Sequence, residues 1–337
     1  MIPLNRERYS IPPFALYLVL KTMSRETFSA VIDAEHAGQR IDQTLAKMYP
    51  EWSRARLQQW IKSGAVLVDG ESWRPRDRVV GGESLRMTIE LADEVEDFKP
   101  EPMPLPVVYE DEQLIVIDKP AGRVVHPAPG HWSGTLLNGL LHRYPELRGV
   151  PRAGIVHRLD KDTSGLMAVA RSLEAHRQLV EALQRREFRR EYLALVEGVP
   201  VAGGTVDEPI GRHHQDRKRM AATESGKPAV THFRIRQRFP AHTLLDVKLE
   251  TGRTHQIRVH MAHLRYPIVG DPVYGGRPRL PKGMAPEVVA ALQGFRRQAL
   301  HAARLGLAHP GTGAWMSWEA PLPDDFAALL AVLDQAG

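Results

Sequence analysis

The chain has 337 residues, 45 Lys and Arg against 40 Asp and Glu for a formal charge of +5, 43% apolar residues and no cysteine. That much apolar matter builds a sizeable core, and the length allows two domains, so wholesale disorder is excluded. The absent cysteines exclude disulfides, Cys-ligated zinc, iron–sulfur clusters and thiol catalysis, which fits a reducing compartment without requiring one.

The apolar stretch Ile11 to Leu20 falls far short of the roughly 20 residues that cross a bilayer. Arg6 and Arg8 precede it as in a signal peptide, but no small-x-small cleavage site follows, and Pro3, Pro12 and Pro13 break any helix. A second methionine stands at Met23. Residues 1–22 are expected to be a loose tail or an over-long start, within an N-terminal tail spanning 1–38, and the protein is expected to be cytoplasmic with no membrane partner.

From Arg40 the pattern turns helical, with Ile41, Leu45 and Met48 on one face and Pro50 ending it. Ser53 can cap a second helix, Arg54 to Lys62, with Leu57, Trp60 and Ile61 inward and Gly64 as its stop. Ala65 to Val68 reads as a strand, and Asp69-Gly70 as a tight hairpin turn. The second helix leaves Arg54, Arg56 and Lys62 for solvent, with Arg74, Arg76 and Arg78 close behind. Such a basic face suits RNA phosphates, the alternative being an ordinary solvated face. Gln39-Arg40-Ile41-Asp42, Ser53-Arg54 and the run Ile61 to Gly70 resemble an S4 RNA-binding domain, placed at residues 39–98.

The net charge hides an asymmetry. Between Glu83 and Glu112 the chain carries −8, so the remainder carries +13. Pro100, Pro102, Pro104 and Pro106 lie in the same window. Acid plus alternate proline predicts an extended linker at 99–106 between a small and a large domain, the alternative being a surface loop within one domain.

The densest polar cluster is Gly154-Ile155-Val156-His157-Arg158-Leu159-Asp160-Lys161-Asp162-Thr163-Ser164-Gly165, which reads as strand, polar loop, strand. Asp160-x-Asp162-x-Ser164-Gly165 copies the opening of an EF-hand loop, but Arg171 stands where calcium needs a glutamate. His157 and Arg158 interrupt the apolar strand that a phosphoryl-accepting aspartate pair would follow. Gly226-Lys227 is followed by Pro228, so it is no P-loop. On a strand, His255 and His260 face opposite sides and cannot share a metal with His263, so no metal is expected. His213-His214 reads as a nucleic-acid contact or a solvated loop. What remains is a lone carboxylate, Asp160, beside Arg158, with Tyr192 and the run Gly252 to His260. From the residues alone Asp160 could equally be a buried ion-pair member, Tyr192 a core tyrosine of the strand Glu191 to Val196, and Arg258 a surface strand residue.

His157-Arg158-Leu159-Asp160 with Thr163-Ser164-Gly165 resembles the signature of the RluA-type pseudouridine synthases. Leu114 to Gly122 with Val124-Val125-His126-Pro127 resembles that family's first motif, Arg190-Glu191-Tyr192 its tyrosine motif and Thr251 to Met261 its third. Gly203 to Ile210, Gly226 to His232, Gly270 to Arg279 and Arg297-Gln298-Ala299-Leu300-His301-Ala302 resemble the D-type branch, which acts on large-subunit ribosomal RNA. The resemblance implies an α+β protein: a small S4 RNA-binding domain, then a pseudouridine synthase catalytic domain at 107–325 with a central mixed, mainly antiparallel sheet, and a C-terminal segment at 326–337. It implies isomerisation of uridine to pseudouridine in 23S ribosomal RNA, at the helix 69 stem-loop, on free RNA or an assembling large subunit, by a monomer without cofactor or metal. A non-catalytic RNA-binding assembly factor is the alternative.

The same resemblance gives roles. Asp160 works at C1′ of the target nucleotide, by charge, by capture or by taking a neighbouring proton. Arg258 supplies the counter-charge that keeps Asp160 ionised, with Arg253 as substitute. Tyr192 packs against the base and moves a proton at C5. Arg158 and His157 act on the RNA, Arg158 filling the gap left by an extruded uridine. Two basic clusters, Arg185, Arg186, Arg189 and Arg190, and Arg212, Arg217, Lys218 and Arg219, are expected to track the RNA backbone.

Overall fold

The computed structural model describes residues 24–49, 54–91, 98–127, 132–216, 219–276, 280 and 283–335. The expected tail at 1–22, the Ser53 cap, and Arg217, Lys218, Arg277 and Arg279 lie outside them. The chain divides into two compact units, Met1–Asp97 and Phe98–Gly337.

The first unit runs β1 (Ser24–Val31), α1 (Ile41–Met48), α2 (Arg54–Lys62), β2 (Val66–Val68), β3 (Glu71–Ser72) and β4 (Ser84–Leu91), with its sheet ordered β1-β4-β2-β3. Ile41 and Leu45 from α1 and Leu57 and Ile61 from α2 close on Val66, Val68, Leu85 and Met87. Each such side chain contributes about 1.5–3 kcal/mol by leaving water. At the end of α2 the N–H groups of Ala65 and Gly64 donate to the Trp60 and Ile61 carbonyls, with Gly64 at φ +76°. That is the left-handed stop the glycine predicts. Asp69 and Gly70 both take positive φ, 51° and 83°, between the paired Val68 and Glu71. Two positive φ values are what a two-residue hairpin loop demands.

One boundary needs correction. β1 pairs with β4 along its whole length, from Ser24↔Leu91 to Val31↔Ser84, so residues 24–38 belong to this unit and not to a tail. The alternation of Phe28, Ala30 and Ile32 toward the core was the available signal.

The second unit contains β5 (Val107–Glu110), β6 (Leu114–Lys119), α3 (Leu136–Arg143), β7 (Ser164–Ala170), α4 (Leu173–Gln184), β8 (Arg189–Glu197), β9 (Gly204–Asp207), β10 (Ile210–Arg212), β11 (Met220–Ala222), β12 (Val230–Arg238), β13 (His242–Leu249), α5 (Gln256–His263), α6 (Pro286–Gly294), β14 (Leu300–Ala308), β15 (Trp315–Glu319) and α7 (Asp324–Gln335). The main sheet follows β5-β6-β7-β14-β8-β13-β12-β9, with β15 on β14, while β10 and β11 form a separate hairpin. Only the β7–β14 junction is parallel. The sheet is therefore mixed and mainly antiparallel, and the protein is α+β as the resemblance implies.

Side chains alternate across this sheet. Ile115, Ile117, Met167 and Val169 enter a core shared with α3, while Leu114, Val116, Leu166 and Ala168 pack on Ala175, Leu179 and Ala182 of α4. Burial on both faces is why β6 and β7 read as unbroken apolar runs.

Two further boundaries shift. The proline-rich stretch expected as a linker at 99–106 lies on the second unit: Met103 and Leu105 pack into its core, Glu101 N–H donates to the Asn138 carbonyl, and Asp118 N–H to that of Pro106. Alternate prolines hold the chain extended, so every second residue faces one way and the prolines face out. Residues 326–335 are not a separate segment either, since Phe326, Leu329 and Leu333 of α7 are buried in the same core. Among the described residues no helix is long and apolar enough to cross a membrane.

Candidate active site

Asp160 sits in the loop that leads into the central strand β7, and two glycines fix where that loop begins and ends. Gly154 has φ +76°, and a Cβ there would lie 1.9 Å from the Ala170 carbonyl oxygen. Gly165 has φ +114°, and its Cβ would lie 2.3 Å from the Ala302 carbonyl oxygen on β14. Only glycine permits these two approaches.

The residues after Asp160 are then anchored one by one. The Lys161 carbonyl accepts from Lys119 Nζ at 2.9 Å, and that of Asp162 from Arg297 Nη1 at 3.3 Å. Thr163 Oγ1 accepts from Gln298 Nε2 at 3.1 Å, and Ser164 Oγ bonds His301 Nδ1 at 3.0 Å. This explains two motifs that carried only resemblance: the lysine at the end of β6 and the Arg297 to Ala302 run are the clamp on the loop. Lys119 is fully buried, with Nζ donating to the carbonyls of Pro120, Arg123 and Lys161. Burial pushes its pKa down to about 7 against the pull of Asp162 and Asp160.

Arg258 approaches from α5. Its Nη1 donates to Asp160 Oδ2 at 2.9 Å, while Nε and Nη2 donate to both oxygens of Asp271 at 2.7 and 2.9 Å. The Asp271 side chain is fully buried and also accepts the Val273 and Tyr274 N–H groups. Burial alone would raise its pKa, but the guanidinium and the two N–H donors hold it below the usual carboxylate range. The Arg258 guanidinium also lies 5.0 Å from the Tyr274 ring centre. Tyr274 hydroxyl bonds His255 Nδ1 at 2.8 Å and accepts Met220 N–H at 3.0 Å, and His255 Nε2 comes within 3.8 Å of Asp160 Oδ1.

The expected strand through His255 and His260 is a helix instead. Gln256 to Met261 of α5 are all buried. A helix buried on every side shows no 3.6-residue apolar stripe, and its alternating Ile257, Val259 and Met261 imitate a strand. His255, at φ 58°, precedes the first turn, and His260 bonds Thr231 Oγ1 and the Glu208 carbonyl. Among the described residues no three His, Asp or Glu side chains converge as a metal cluster. Arg258 is likewise a buried helix residue and not a surface strand residue.

Tyr192 is on β8, buried but lining the same cavity of about 550 Å³ as Asp160, His255 and Arg258. Burial pushes its hydroxyl pKa above the ordinary phenol value, with Arg190 opposing and Asp160 adding. Asp160 retains 17% side-chain exposure, so the carboxylate is reachable from the cavity. The arrangement offers a clamped carboxylate, a phenol and a ring of cations in a space the size of a small-molecule site, which suits chemistry at an electron-poor sugar carbon.

Several residues expected to contact RNA have partners within the protein. His157 Nε2 accepts the Ala168 N–H at 2.9 Å, and burial with nearby Arg190 drives its pKa to about 3, so it is a neutral tie to β7 and no cationic contact. Arg190 is buried in the cavity wall and not on the surface track. Arg189 is half-exposed and pairs with Glu191 at 2.6 Å. Arg54 pairs with the fully buried Asp42 at 2.9 Å, and the Arg56 guanidinium lies over the Trp60 ring. Lys62 and Arg54 are exposed, as the helix pattern predicts, and Arg158 is exposed as well.

Both parts of the chain match known families. An RNA pseudouridylate synthase model matches residues 113–263, and an S4 domain model matches residues 39–85. The chain belongs to the RNA pseudouridylate synthase family. It is 55% identical over 304 residues to the ribosomal large subunit pseudouridine synthase D of Xanthomonas campestris pv. campestris, covering 90% of this chain and 92% of that one. The protein of the same name from Pseudomonas aeruginosa is 56% identical over 307 residues, covering 91% and 96%. The solved structure of human RNA pseudouridylate synthase domain containing 4 superposes with a TM-score of 0.54 at 26% identity, over 68% of this chain and 92% of that one.

Proposed function

We propose that this protein isomerises uridine to pseudouridine in 23S ribosomal RNA, at the helix 69 stem-loop, as a cytoplasmic monomer acting on RNA or the assembling large subunit. The observation that carries the reading is the chain Asp160–Arg258–Asp271, which presents one reachable carboxylate to a nucleoside-sized cavity.

The reaction conserves every atom. The C1′–N1 bond breaks with its electron pair leaving on the base, the base turns, and C5 bonds to C1′. The C5 proton is then lost and N1 gains one. Asp160 acts at C1′ or its neighbouring proton, and Arg258 balances its charge. Tyr192 packs against the extruded base and carries the proton from C5. Arg158, exposed beside the loop, occupies the gap the uridine leaves. Lys62 and the neighbouring basic surface of the first unit hold RNA phosphates.

Mapping pseudouridines in ribosomal RNA from a deletion strain tests the reading. Sites lost there should return with the wild-type gene and not with Asp160→Asn. An unchanged map in the deletion strain overturns the target, and restoration by Asp160→Asn overturns the role of that residue.

A further inference from the structure

Arg190 is 8% exposed, yet its guanidinium has one hydrogen-bond partner among the described residues, the Glu250 carbonyl, which accepts from Nη2 at 3.2 Å. Nε is buried without a partner. Among the described residues no carboxylate pairs with it, whereas Arg186 and Arg189, just before it in the chain, are both paired. Room is kept for it as well, since a Cβ on Gly252 would lie 2.7 Å from Arg190 Nη1. A buried cation without an anion is costly, and a fold keeps one where negative charge arrives later.

Arg190 and Tyr192 are two residues apart on β8, so their side chains leave the same face of the strand, and both line the cavity. Resting on the reading of Asp160 and Tyr192 above, we propose that Arg190 is a catalytic residue whose guanidinium stabilises the uracil anion released when the C1′–N1 bond breaks. The electron pair of that bond departs with N1 and spreads onto O2 and O4, and Nη1 of Arg190, the end of the guanidinium not held by Glu250, can donate to one of these oxygens. When C5 attacks C1′ an electron pair of the base forms the new C5–C1′ bond, the C5 proton is lost and N1 gains a proton, so the arginine ends unchanged.

Formal charges support this assignment. Arg258 faces two carboxylates, Asp160 and Asp271, so that trio carries −1, whereas Arg190 is a buried cation of the same cavity with no carboxylate partner among the described residues. Breaking the glycosidic bond moves negative charge from the sugar side to the base side, toward Arg190. A phosphodiester would instead be met at the surface, where Arg158 is exposed.

The test is single-turnover cleavage of the C1′–N1 bond at saturating full-length enzyme, in RNA carrying uridine or 5-fluorouridine at the target position. Fluorine makes the departing base a more stable anion, so it needs the arginine less. Arg190→Met should slow cleavage of the uridine substrate by about 10²–10³-fold, with a clearly smaller deficit for fluorouridine, unchanged RNA affinity and partial recovery in Arg190→Lys. Equal deficits for both bases, with thermal melting unchanged, would overturn the proposal. Weaker RNA binding with a reduced salt dependence and an unchanged cleavage rate would overturn it in favour of a phosphate contact. A wild-type enzyme that forms no pseudouridine would instead refute the reading on which it rests.

Discussion

Asp271 grips Arg258 through both of its carboxylate oxygens, at 2.7 and 2.9 Å, and leaves a single edge of the guanidinium for Asp160. The direction in which Arg258 meets the reactive carboxylate is thus set from behind, by a residue the solvent does not reach. Asp271→Asn should lower kcat by about 10²-fold through misplacement of Arg258, with RNA affinity unchanged. Asp271→Ala should in addition destabilise the fold by about 3–5 kcal/mol, because Arg258 is left buried beside a hole. Wild-type kinetics in Asp271→Asn would show that Arg258 needs no such support.

Tyr192 combines a ring against the cavity with a hydroxyl that has no hydrogen-bond partner among the described residues. Tyr192→Phe keeps the ring and should cut kcat by about 10²–10⁴-fold at constant KM. Tyr192→Leu should raise KM as well. A phenylalanine variant with full activity would reduce the residue to a packing surface.

Acid stability has an identifiable contributor away from the site. Asp111 is pushed up by burial, but bonds from Tyr109, the Gln113 and Leu114 N–H groups and His309 bring its pKa from 3.8 to about 2. A depressed folded pKa means stability present above the unfolded value and lost as pH falls through the folded one. Asp111→Asn should cost about 2 kcal/mol at neutral pH. Urea titrations at several pH values should show that difference shrinking between the two pKa values. A difference independent of pH would assign it to packing.

In the first unit, a cation held by a buried carboxylate can be told apart from one left to solvent. Asp42 is fully buried and accepts from Arg40, Arg54 and Gln58. Arg54→Ala should therefore lower the melting temperature, by about 1–3 kcal/mol of stability, because the carboxylate stays buried. Lys62→Ala should leave melting unchanged, weaken RNA binding and flatten its salt dependence by about one unit. Equal melting losses in both variants would contradict the separation.

Local chemistry made much of this protein legible in its sequence. The Gly64 stop, the Asp69-Gly70 turn, the apolar runs of β6 and β7 and the position of Tyr192 on a strand all follow from backbone preferences and periodicity within a few residues. Asp160, Tyr192 and Arg258 could be named from motif resemblance, and the fold brings all three to one cavity. Asp271, Tyr274 and His255 stand inside the segments Gly270 to Arg279 and Thr251 to Met261, but nothing in those segments singles them out. Their meaning is a contact across the chain, and spacing carries no distance.

Tertiary structure alone decided the rest. α5 does not read as a helix because Gln256 to Met261 are buried whichever way they face, and there the 3.6-residue pattern vanishes. The proline-rich stretch became part of the second unit because Met103 and Leu105 share a face with a core to enter. β14 entered between β7 and β8, which brings the Arg297 to His301 run beside the Asp160 loop and turns it into a clamp. Whether a charge is solvated, paired or left bare depends on which strands and helices surround it. That is why Arg54, His157 and Arg190, alike as polar sites in the sequence, became an ion pair, a neutral tie and an unpaired cation.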